Sequence, residues 1–260
     1  MFYIPSFGVL FISAAYYMAW DYLYGVRWHY STQIVLLIGY TCMLKTIFTP
    51  AGVIRTRVIR EKDKDYDKNQ LNFLDTFSGH GFIKPIHAHY SKNTGRMIMD
   101  YDHYCYWLGN DIGLMNYRYF IQFVFWTFVM SVFLFADTFK MLFDCVHNFD
   151  RWSCTLIHHH KIIIIGLFFI TMLSVTMLFS LLGEIFLTLK TGWGLIDRRR
   201  GMRNTSDFTS LKLFFGSKFR MIYWLLPIPN HPKLRGRLRN LQKICGEMLE
   251  NKDIKVAYKY

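Results

Sequence analysis

The stretch IIIIGLFFITMLSVTMLFSLLG, residues 162–183, contains no charged side chain. A helix needs about 20 apolar residues to cross a bilayer, so this stretch predicts a transmembrane helix. Three further apolar runs lie at residues 2–20, 32–49 and 119–139. The first run lacks the positive n-region of a secretory signal and has a longer apolar part, so we predict a retained helix. The predicted fold class is a polytopic α-helical membrane protein with four transmembrane helices.

The basic residues predict which side of the membrane each connection faces. The chain has 31 Lys and Arg and a formal net charge of +13. Most of them lie in residues 51–118 or follow residue 189, and the connections after the first and third runs hold few. Basic loops stay on the cytoplasmic side, so we predict that both termini and the 51–118 loop face the cytosol. The charge suits an anionic leaflet and not a nucleic acid, since no recognition signature for one is present.

These patterns divide the chain into four regions. Residues 1–50 hold helices 1 and 2, residues 51–118 form a small cytosolic loop-rich module, residues 119–189 hold helices 3 and 4, and residues 190–260 form a basic cytosolic C-terminal region. Gly, Asn, Asp and short apolar runs in the module predict short strands and turns. Within the C-terminal region, residues 209–229 predict an interfacial segment, because their apolar part is too short to span. Residues 236–250 predict a helix.

The module contains DYDHYCYWLGND, residues 100–111, which places an acid, a base and a thiol within four positions. A thiol attacks as the thiolate, and an adjacent base or positive charge raises the thiolate fraction at Cys105. His103 is that base, and Asp102 can hold its imidazole tautomer. The alternative is a structural Cys105, because a free cysteine often packs as a small apolar residue.

The sequence KPIHAHYSKNTGRMIMDYDHYCYWLGNDIGLMNYRYF, residues 84–120, resembles the Asp-His-His-Cys protein S-acyltransferases, the palmitoyltransferases. The matching positions are Lys84, Pro85, Asp102, His103, Cys105, Trp107, Asn110, Gly113, Asn116, Tyr119 and Phe120. That family has four membrane helices and a cytosolic loop between the second and third, which is the topology predicted above. Tyr104 stands at the second His of the signature, as in some family members, and Tyr106 stands where Pro is usual.

The resemblance implies a two-step acyl transfer. Cys105 would take a fatty acyl group, such as palmitoyl, from acyl-CoA and pass it to a cytosolic cysteine of a protein substrate, with His103 and Asp102 assisting. It also suggests substrate-binding roles for Trp107, Asn110, Asn116 and Asp197, the last being the surviving acid of a motif after the fourth helix. An ER or Golgi membrane is the implied location. The alternative is a catalytically inactive membrane relative that binds or escorts a partner protein.

The resemblance also implies two structural zinc ions, and here the sequence departs from the family. The first ligand set falls on Phe77, His80, Tyr90 and Met97, and the second on Ser91, Thr94, Tyr104 and Asp111. Because structural zinc needs four N, S or O donors, we predict no zinc and no other cofactor. Structural zinc contributes on the order of 10 kcal/mol to folding a small module, so something must replace it. We hypothesise that an apolar plug replaces the first set and a hydrogen-bonded cluster the second.

Other potential metal or sulfur sites are weaker. His87 and His89 lie near His80, but they do not complete a tetrahedral donor set. Residues 158–160 are three consecutive histidines, which suit a solvated cluster at the lumenal mouth of the fourth helix. Cys145 and Cys154 share the predicted lumenal connection, where a disulfide is chemically permitted.

Overall fold

Three long helices match three of the four apolar runs. The computed structural model describes the backbone of residues 30–54, 57–58, 74–77, 82–85, 88–147, 152–191 and 224–229, and of positions 236, 238 and 239. It describes the side chains of residues 33–54, 88–143, 147, 165–190, 224–229, 236, 238 and 239. The helices are α1 (Tyr30–Phe48), α2 (Tyr117–His147) and α3 (Trp152–Thr191). The predicted first helix, residues 2–20, lies outside the described residues.

Helices α2 and α3 are longer than the sequence predicts. They have 31 and 40 residues, or about 46 and 60 Å at about 1.5 Å per residue. Their stretches Tyr117–Phe143 and Ile165–Lys190 are long and apolar enough to cross a membrane, and the apolar part of α1, Gln33–Phe48, is shorter. The prediction that Cys145 and Cys154 lie in the connection between these helices is wrong, because the two residues lie within α2 and α3. The side of the membrane that they face stays a prediction. Their side chains are outside the described set, so the disulfide stays untested, and four spans stay a prediction.

Helix α2 packs against both α1 and α3. Between α2 and α3 the rings of Phe135 and Phe168 lie 5.5 Å apart, and those of Phe128 and Phe179 lie 6.3 Å apart. Much of the outer surface remains apolar, and Leu173 and Phe179 of α3 are more than half exposed. An apolar surface of this extent is unfavourable in water and suits contact with lipid.

The module between α1 and α2 consists of short antiparallel strands, as the sequence predicts. The described strands are β1 (Val53–Ile54), β2 (Arg57–Val58), β3 (Leu74–Phe77), β4 (Phe82–Pro85), β5 (Ala88–Ser91), β6 (Arg96–Met99), β7 (His103–Cys105) and β8 (Asn110–Ile112). They form two three-stranded sheets, in the orders β1-β6-β5 and β2-β4-β3, and the two-stranded hairpin β7-β8. Each strand is too short to be stable alone, so the module depends on contacts between these units.

The module and the helices share one apolar core. It joins module residues such as Met97 and Ile112 to Phe120 of α2 and Leu189 of α3. Gly113, which precedes α2, lies at the tightest point of this junction. A Cβ atom there would meet Ile98 Cγ2 at 2.6 Å and the carbonyl oxygen of Ala51 at 2.7 Å. Only glycine therefore allows the chain to pass from β8 into α2 along this path.

Residues 224–229, part of the predicted interfacial segment, lie against the first turns of α2. Side chains on α2 donate hydrogen bonds to their backbone carbonyls: Tyr119 to Ile228 at 3.1 Å, Gln122 to Leu226 at 2.9 Å and Trp126 to Leu225 at 2.8 Å. The buried Arg118 also donates to the Ile228 carbonyl. These bonds fix the segment at the module end of the bundle. Of the predicted helix at 236–250, positions 236, 238 and 239 are helical and the rest lies outside the described residues.

Candidate functional site

Cys105 lies at the end of β7, where the β7–β8 hairpin turns. Its carbonyl oxygen accepts hydrogen bonds from the backbone N–H groups of Leu108 at 3.2 Å and Gly109 at 2.8 Å. Gly109 adopts φ of 63°, a left-handed conformation that favours glycine. The turn thus holds the backbone carbonyl of Cys105 with two hydrogen bonds. The Cys105 residue is buried, at 7% exposure.

The structure brings the predicted trio together. His103 Nδ1 lies 2.9 Å from Asp102 Oδ2, and His103 also shares a side-chain hydrogen bond with Cys105. Since Nδ1 faces the carboxylate, Nε2 is the ring nitrogen available to the thiol. The imidazole is also held edge-on by the ring of Phe120 on α2, at a centroid distance of 5.2 Å. Phe120 stands out in the sequence only as a position that matches the family, so its contact with His103 was not predicted.

The environment of His103 favours the protonated imidazole. Burial is the largest single influence and lowers its pKa, but the hydrogen bonds to Asp102 and Cys105, with their negative charges, outweigh it and raise the pKa to about 9. At neutral pH the ring therefore carries a proton between a carboxylate and a sulfur atom. A proton held there stabilises a thiolate at Cys105 as an ion pair. Asp102, His103 and Cys105 thus form one hydrogen-bonded chain.

Asn110 and Asn116 hold this hairpin to the end of α1. Asn110 Nδ2 donates to the carbonyls of Thr46 and Ile47, both at 3.0 Å. Asn116 Nδ2 donates to the carbonyls of Asp111 at 2.8 Å and Thr49 at 3.3 Å, and its Oδ1 accepts from Gly113 N–H at 2.9 Å. The last carbonyls of a helix lack partners within the helix, and these amides supply them. This gives both asparagines a structural role, and direct substrate binding by either stays a prediction.

Trp107 and Asp197 are the other two residues predicted to bind substrate. Trp107 is 67% exposed in the hairpin turn, two residues after Cys105. Tyr106, where the resemblance implies Pro, is also exposed, and its hydroxyl donates to Asn93 Oδ1 at 3.4 Å. The hairpin forms with this substitution in place. Asp197 lies outside the described residues.

The four positions of the second implied zinc set form a different kind of site. Ser91 Oγ donates to Asp111 Oδ1 at 2.6 Å, and Thr94 Oγ1 donates to Asp111 Oδ2 at 2.5 Å. Tyr104 is the backbone partner of Asp111 across the hairpin. Both carboxylate oxygens are thus already bound by hydroxyl groups, and neutral hydroxyls are not zinc ligands of the usual kind. These residues do not fit a structural zinc ion. Of the hydrogen-bonded cluster predicted for Ser91, Thr94, Tyr104 and Asp111, the bonds from Ser91 and Thr94 to Asp111 are present, whereas Tyr104 meets Asp111 through strand pairing.

The first implied zinc set is only partly within the described side chains. Tyr90 and Met97 are register partners on β5 and β6. Met97 is buried at 5% exposure, but Tyr90 is 41% exposed, so the prediction of a buried plug is wrong for Tyr90. The side chain of Phe77 and all of His80 and His87 are not described. Among the described residues, no group of three His, Cys, Asp or Glu side chains could hold a metal ion.

Comparisons with known proteins find a family and several palmitoyltransferases to which this chain is similar. A family model described as DHHC palmitoyltransferase matches residues 69–196. Palmitoyltransferase AKR1 of Candida albicans is 40% identical over 75 residues, which are 28% of this chain and 9% of that protein. Probable protein S-acyltransferase 14 of Arabidopsis thaliana is 30% identical over 100 residues, 32% of this chain and 33% of that protein. Palmitoyltransferase ZDHHC2 of Homo sapiens is 25% identical over 191 residues, 69% of this chain and 50% of that protein.

The fold and the site define a class of membrane protein in which a cysteine, a histidine and an aspartate meet at one end of a helix bundle. The matched residues contain this trio together with the whole of α2 and α3. Residues 69–196 thus match the DHHC palmitoyltransferase family, whose members are membrane proteins. The matches span half the length of these curated relatives or less.

Proposed function

We propose that this protein is a protein S-acyltransferase that moves a fatty acyl group, such as palmitoyl, from acyl-CoA to cysteines of protein substrates through a thioester on Cys105. The observation that carries the proposal is the chain of hydrogen bonds from Asp102 through His103 to Cys105. The relatives described above are named as palmitoyltransferases or as a probable protein S-acyltransferase, which supports the same chemistry.

The first half-reaction loads Cys105. The thiolate attacks the thioester carbonyl of acyl-CoA, the bond to the CoA sulfur breaks, and the CoA thiolate leaves. The proton on His103 Nε2 passes to that leaving sulfur, because a positioned imidazolium is a general acid. Asp102 holds the ring through Nδ1, so that Nε2 stays directed at the sulfur atoms. The products are acyl-Cys105, neutral His103 and CoA thiol.

The second half-reaction empties the site. The thiol of a substrate cysteine gives its proton to neutral His103 and attacks the acyl-Cys105 carbonyl. The bond to the Cys105 sulfur breaks, and the acyl group leaves on the substrate. The site returns to the thiolate and imidazolium with which it began. One histidine therefore serves as acid in the first step and as base in the second.

The position of the trio suits a fatty substrate. The β7–β8 hairpin is bound to the end of α1 by two asparagines, and Phe120 at the start of α2 contacts His103. A reactive thiol at this end of an apolar bundle can be reached by an acyl chain that stays in hydrocarbon, which avoids exposing its methylene groups to water. We place this end at the cytosolic face, from the distribution of basic residues, and propose an ER or Golgi membrane.

Four further residues are proposed to assist substrate binding. Trp107 is the best placed, since it is exposed two residues after the nucleophile. Asn110 and Asn116 would act by holding the hairpin, in line with their contacts to α1. Asp197 is proposed from the resemblance alone.

A labelling experiment tests the proposal. The purified full chain, in lipid nanodiscs, is incubated with a labelled palmitoyl-CoA, and label that hydroxylamine releases is measured as thioester. We expect label on the wild type, none on Cys105→Ser, and a loss of about 100-fold or more in loading rate for His103→Gln. Cys42→Ser is the matched control, because Cys42 is a buried cysteine of α1 outside the trio. Label equal in wild type and Cys105→Ser, or absent from both, would overturn the proposal and favour an inactive binding or escort protein.

A further inference from the structure

The Ser91–Asp111–Thr94 cluster joins two parts of the module that no pairing between the described strands joins. Ser91 ends β5, and Thr94 lies in the turn between β5 and β6. Asp111 is the central residue of β8, in the separate two-stranded hairpin. The two hydrogen bonds, at 2.6 and 2.5 Å, therefore tie the β5–β6 hairpin to the β7–β8 hairpin.

The cluster is buried, which makes its hydrogen bonds important for stability. Ser91 is 0% and Asp111 is 3% exposed, and Tyr101 also shares a side-chain hydrogen bond with Ser91. Bonds of 2.5 to 2.7 Å from a hydroxyl to a carboxylate are charge-assisted and stronger than those between neutral groups. A buried carboxylate without donors is unfavourable, so each hydroxyl is needed where it lies.

Asp111 lies directly across the hairpin from the reactive residues. Its register partner is Tyr104, and the neighbouring pairs are His103 with Ile112 and Cys105 with Asn110. Whatever fixes the position of Asp111 therefore fixes the strand segment that carries His103 and Cys105. Catalysis is sensitive to such positioning, because a displacement of about 1 Å can reduce a rate about 100-fold.

The cluster lies where the family resemblance implies a structural zinc ion. Its three members stand at three of the four positions where the family resemblance implies ligands of a structural zinc ion, and they do not fit that ion. We propose that Asp111 is a positioning residue: bound by Ser91 and Thr94, it holds the β7–β8 hairpin in the place of the metal, so that the site formed by His103 and Cys105 is assembled without zinc. The consequence for acyl transfer rests on the proposed function, and the consequence for the geometry of the trio does not.

Two measurements on the full chain in lipid nanodiscs separate these consequences. The first is the rate at which iodoacetamide alkylates Cys105, followed against pH by mass spectrometry of the Cys105 peptide. Its inflection belongs to the coupled His103–Cys105 pair. Other groups around this pair are Asp102, Tyr104, Tyr106 and Asp111 on the hairpin, and on α2 the ring of Phe120 faces His103. The second measurement is thioester loading from labelled palmitoyl-CoA.

We expect Asp111→Ala to move the alkylation inflection upward by about one pH unit, because the thiol loses its hydrogen bond to the imidazole. Loading should fall about 100-fold. Ser91→Ala and Thr94→Val each leave one hydroxyl on the carboxylate and should give smaller shifts in the same direction, which keeps the test decisive if Asp111→Ala does not fold. In the wild type, the alkylation inflection and the loading rate should be the same with and without a zinc chelator.

Two control variants distinguish positioning from general loss of stability. Asn93→Ala removes an exposed, 3.4 Å hydrogen bond in the same turn as Thr94 and should leave the inflection in place. Leu134→Ala creates a cavity in α2, far along the chain from the hairpin, and should lower thermal stability without moving the inflection.

The outcomes are separable. An inflection that stays in place in all three cluster variants would overturn the positioning role, as would a shift of equal size in Leu134→Ala. One zinc ion per wild-type chain, lost in Asp111→Ala, would overturn the replacement of the metal. An absence of loading in the wild type together with a shifted inflection in Asp111→Ala would refute the proposed function and leave the positioning role supported.

Discussion

The helices and the β7–β8 hairpin are stabilised in opposite ways. Helices α2 and α3 satisfy their own backbone hydrogen bonds and present exposed apolar side chains such as Phe139 and Leu173 to the surroundings. The hairpin has three residues in each strand and is held from outside by Asn116, by the Ser91 and Thr94 hydroxyls that bind Asp111, and by the core residues around Gly113. The stability of the outer helix surface thus depends on its apolar composition, whereas the stability of the hairpin depends on individual hydrogen bonds and close contacts. This difference predicts where single substitutions will be tolerated.

The sharpest contrast is between two glycines. A Cβ at Gly113 would lie 2.6 Å from Ile98 Cγ2 and 2.7 Å from the Ala51 carbonyl oxygen, whereas one at Gly166 of α3 meets nothing within 4 Å. Because a backbone carbonyl cannot rotate away, Gly113→Ala should destabilise the protein by about 3 kcal/mol. Gly166→Ala should be neutral or slightly stabilising, since alanine is the better helix former. Thermal unfolding in the same lipid compares the two variants, and similar losses in both would contradict the contrast.

The amide of Asn116 should produce the next largest effect. It is fully buried and bridges the end of α1, the carbonyl of Asp111 and the N–H of Gly113. Asn116→Ala leaves several buried partners without hydrogen bonds, at a cost of about 2 kcal/mol or more. Asn110→Ala should cost less, because its bonds to α1 are only partly buried and reach water more readily. The order of the two losses in thermal unfolding is the test, and a greater loss for Asn110→Ala would reject it.

The stability that His103 gives to the hairpin should depend on pH. The pKa of His103 rises from 6.5 to about 9 in the folded protein. Its contribution to stability is therefore complete below pH 6.5 and is lost as pH rises through about 9. The difference in thermal midpoint between wild type and His103→Gln should be largest below pH 6.5 and should narrow above pH 9. A difference that grows with pH would show that the proton on His103 does not stabilise the hairpin.

The sequence predicted those features that composition alone determines. Apolar runs predicted helices that α1, α2 and α3 confirm, and a loop-rich module of short strands is confirmed between α1 and α2. The Asp102–His103–Cys105 arrangement followed from their spacing, because a hairpin strand and its flanking residue keep such neighbours together. The roles of Asn110 and Asn116 in holding α1 could not be predicted, since the carbonyls that they bind at the end of α1 are 61 to 70 residues away. The exposure of Tyr90 could not be predicted either. Side chains alternate between the two faces of a strand, and the sequence of a strand as short as β5 does not show which face is buried.

The smallest effect should come from the outer face of α3. Leu173 is 67% exposed, and lipid or detergent chains can fill the space that Leu173→Ala creates, so the loss should stay below about 0.5 kcal/mol. Leu134 on α2 is 5% exposed and packs inside the protein, so the same change there should cost about 2 kcal/mol or more. Equal losses would mean that another part of the protein covers Leu173. A small loss at Leu173 with large losses at Leu134 and Gly113 would show that stability depends on the buried contacts of the helices and the module, and not on the outer face of α3.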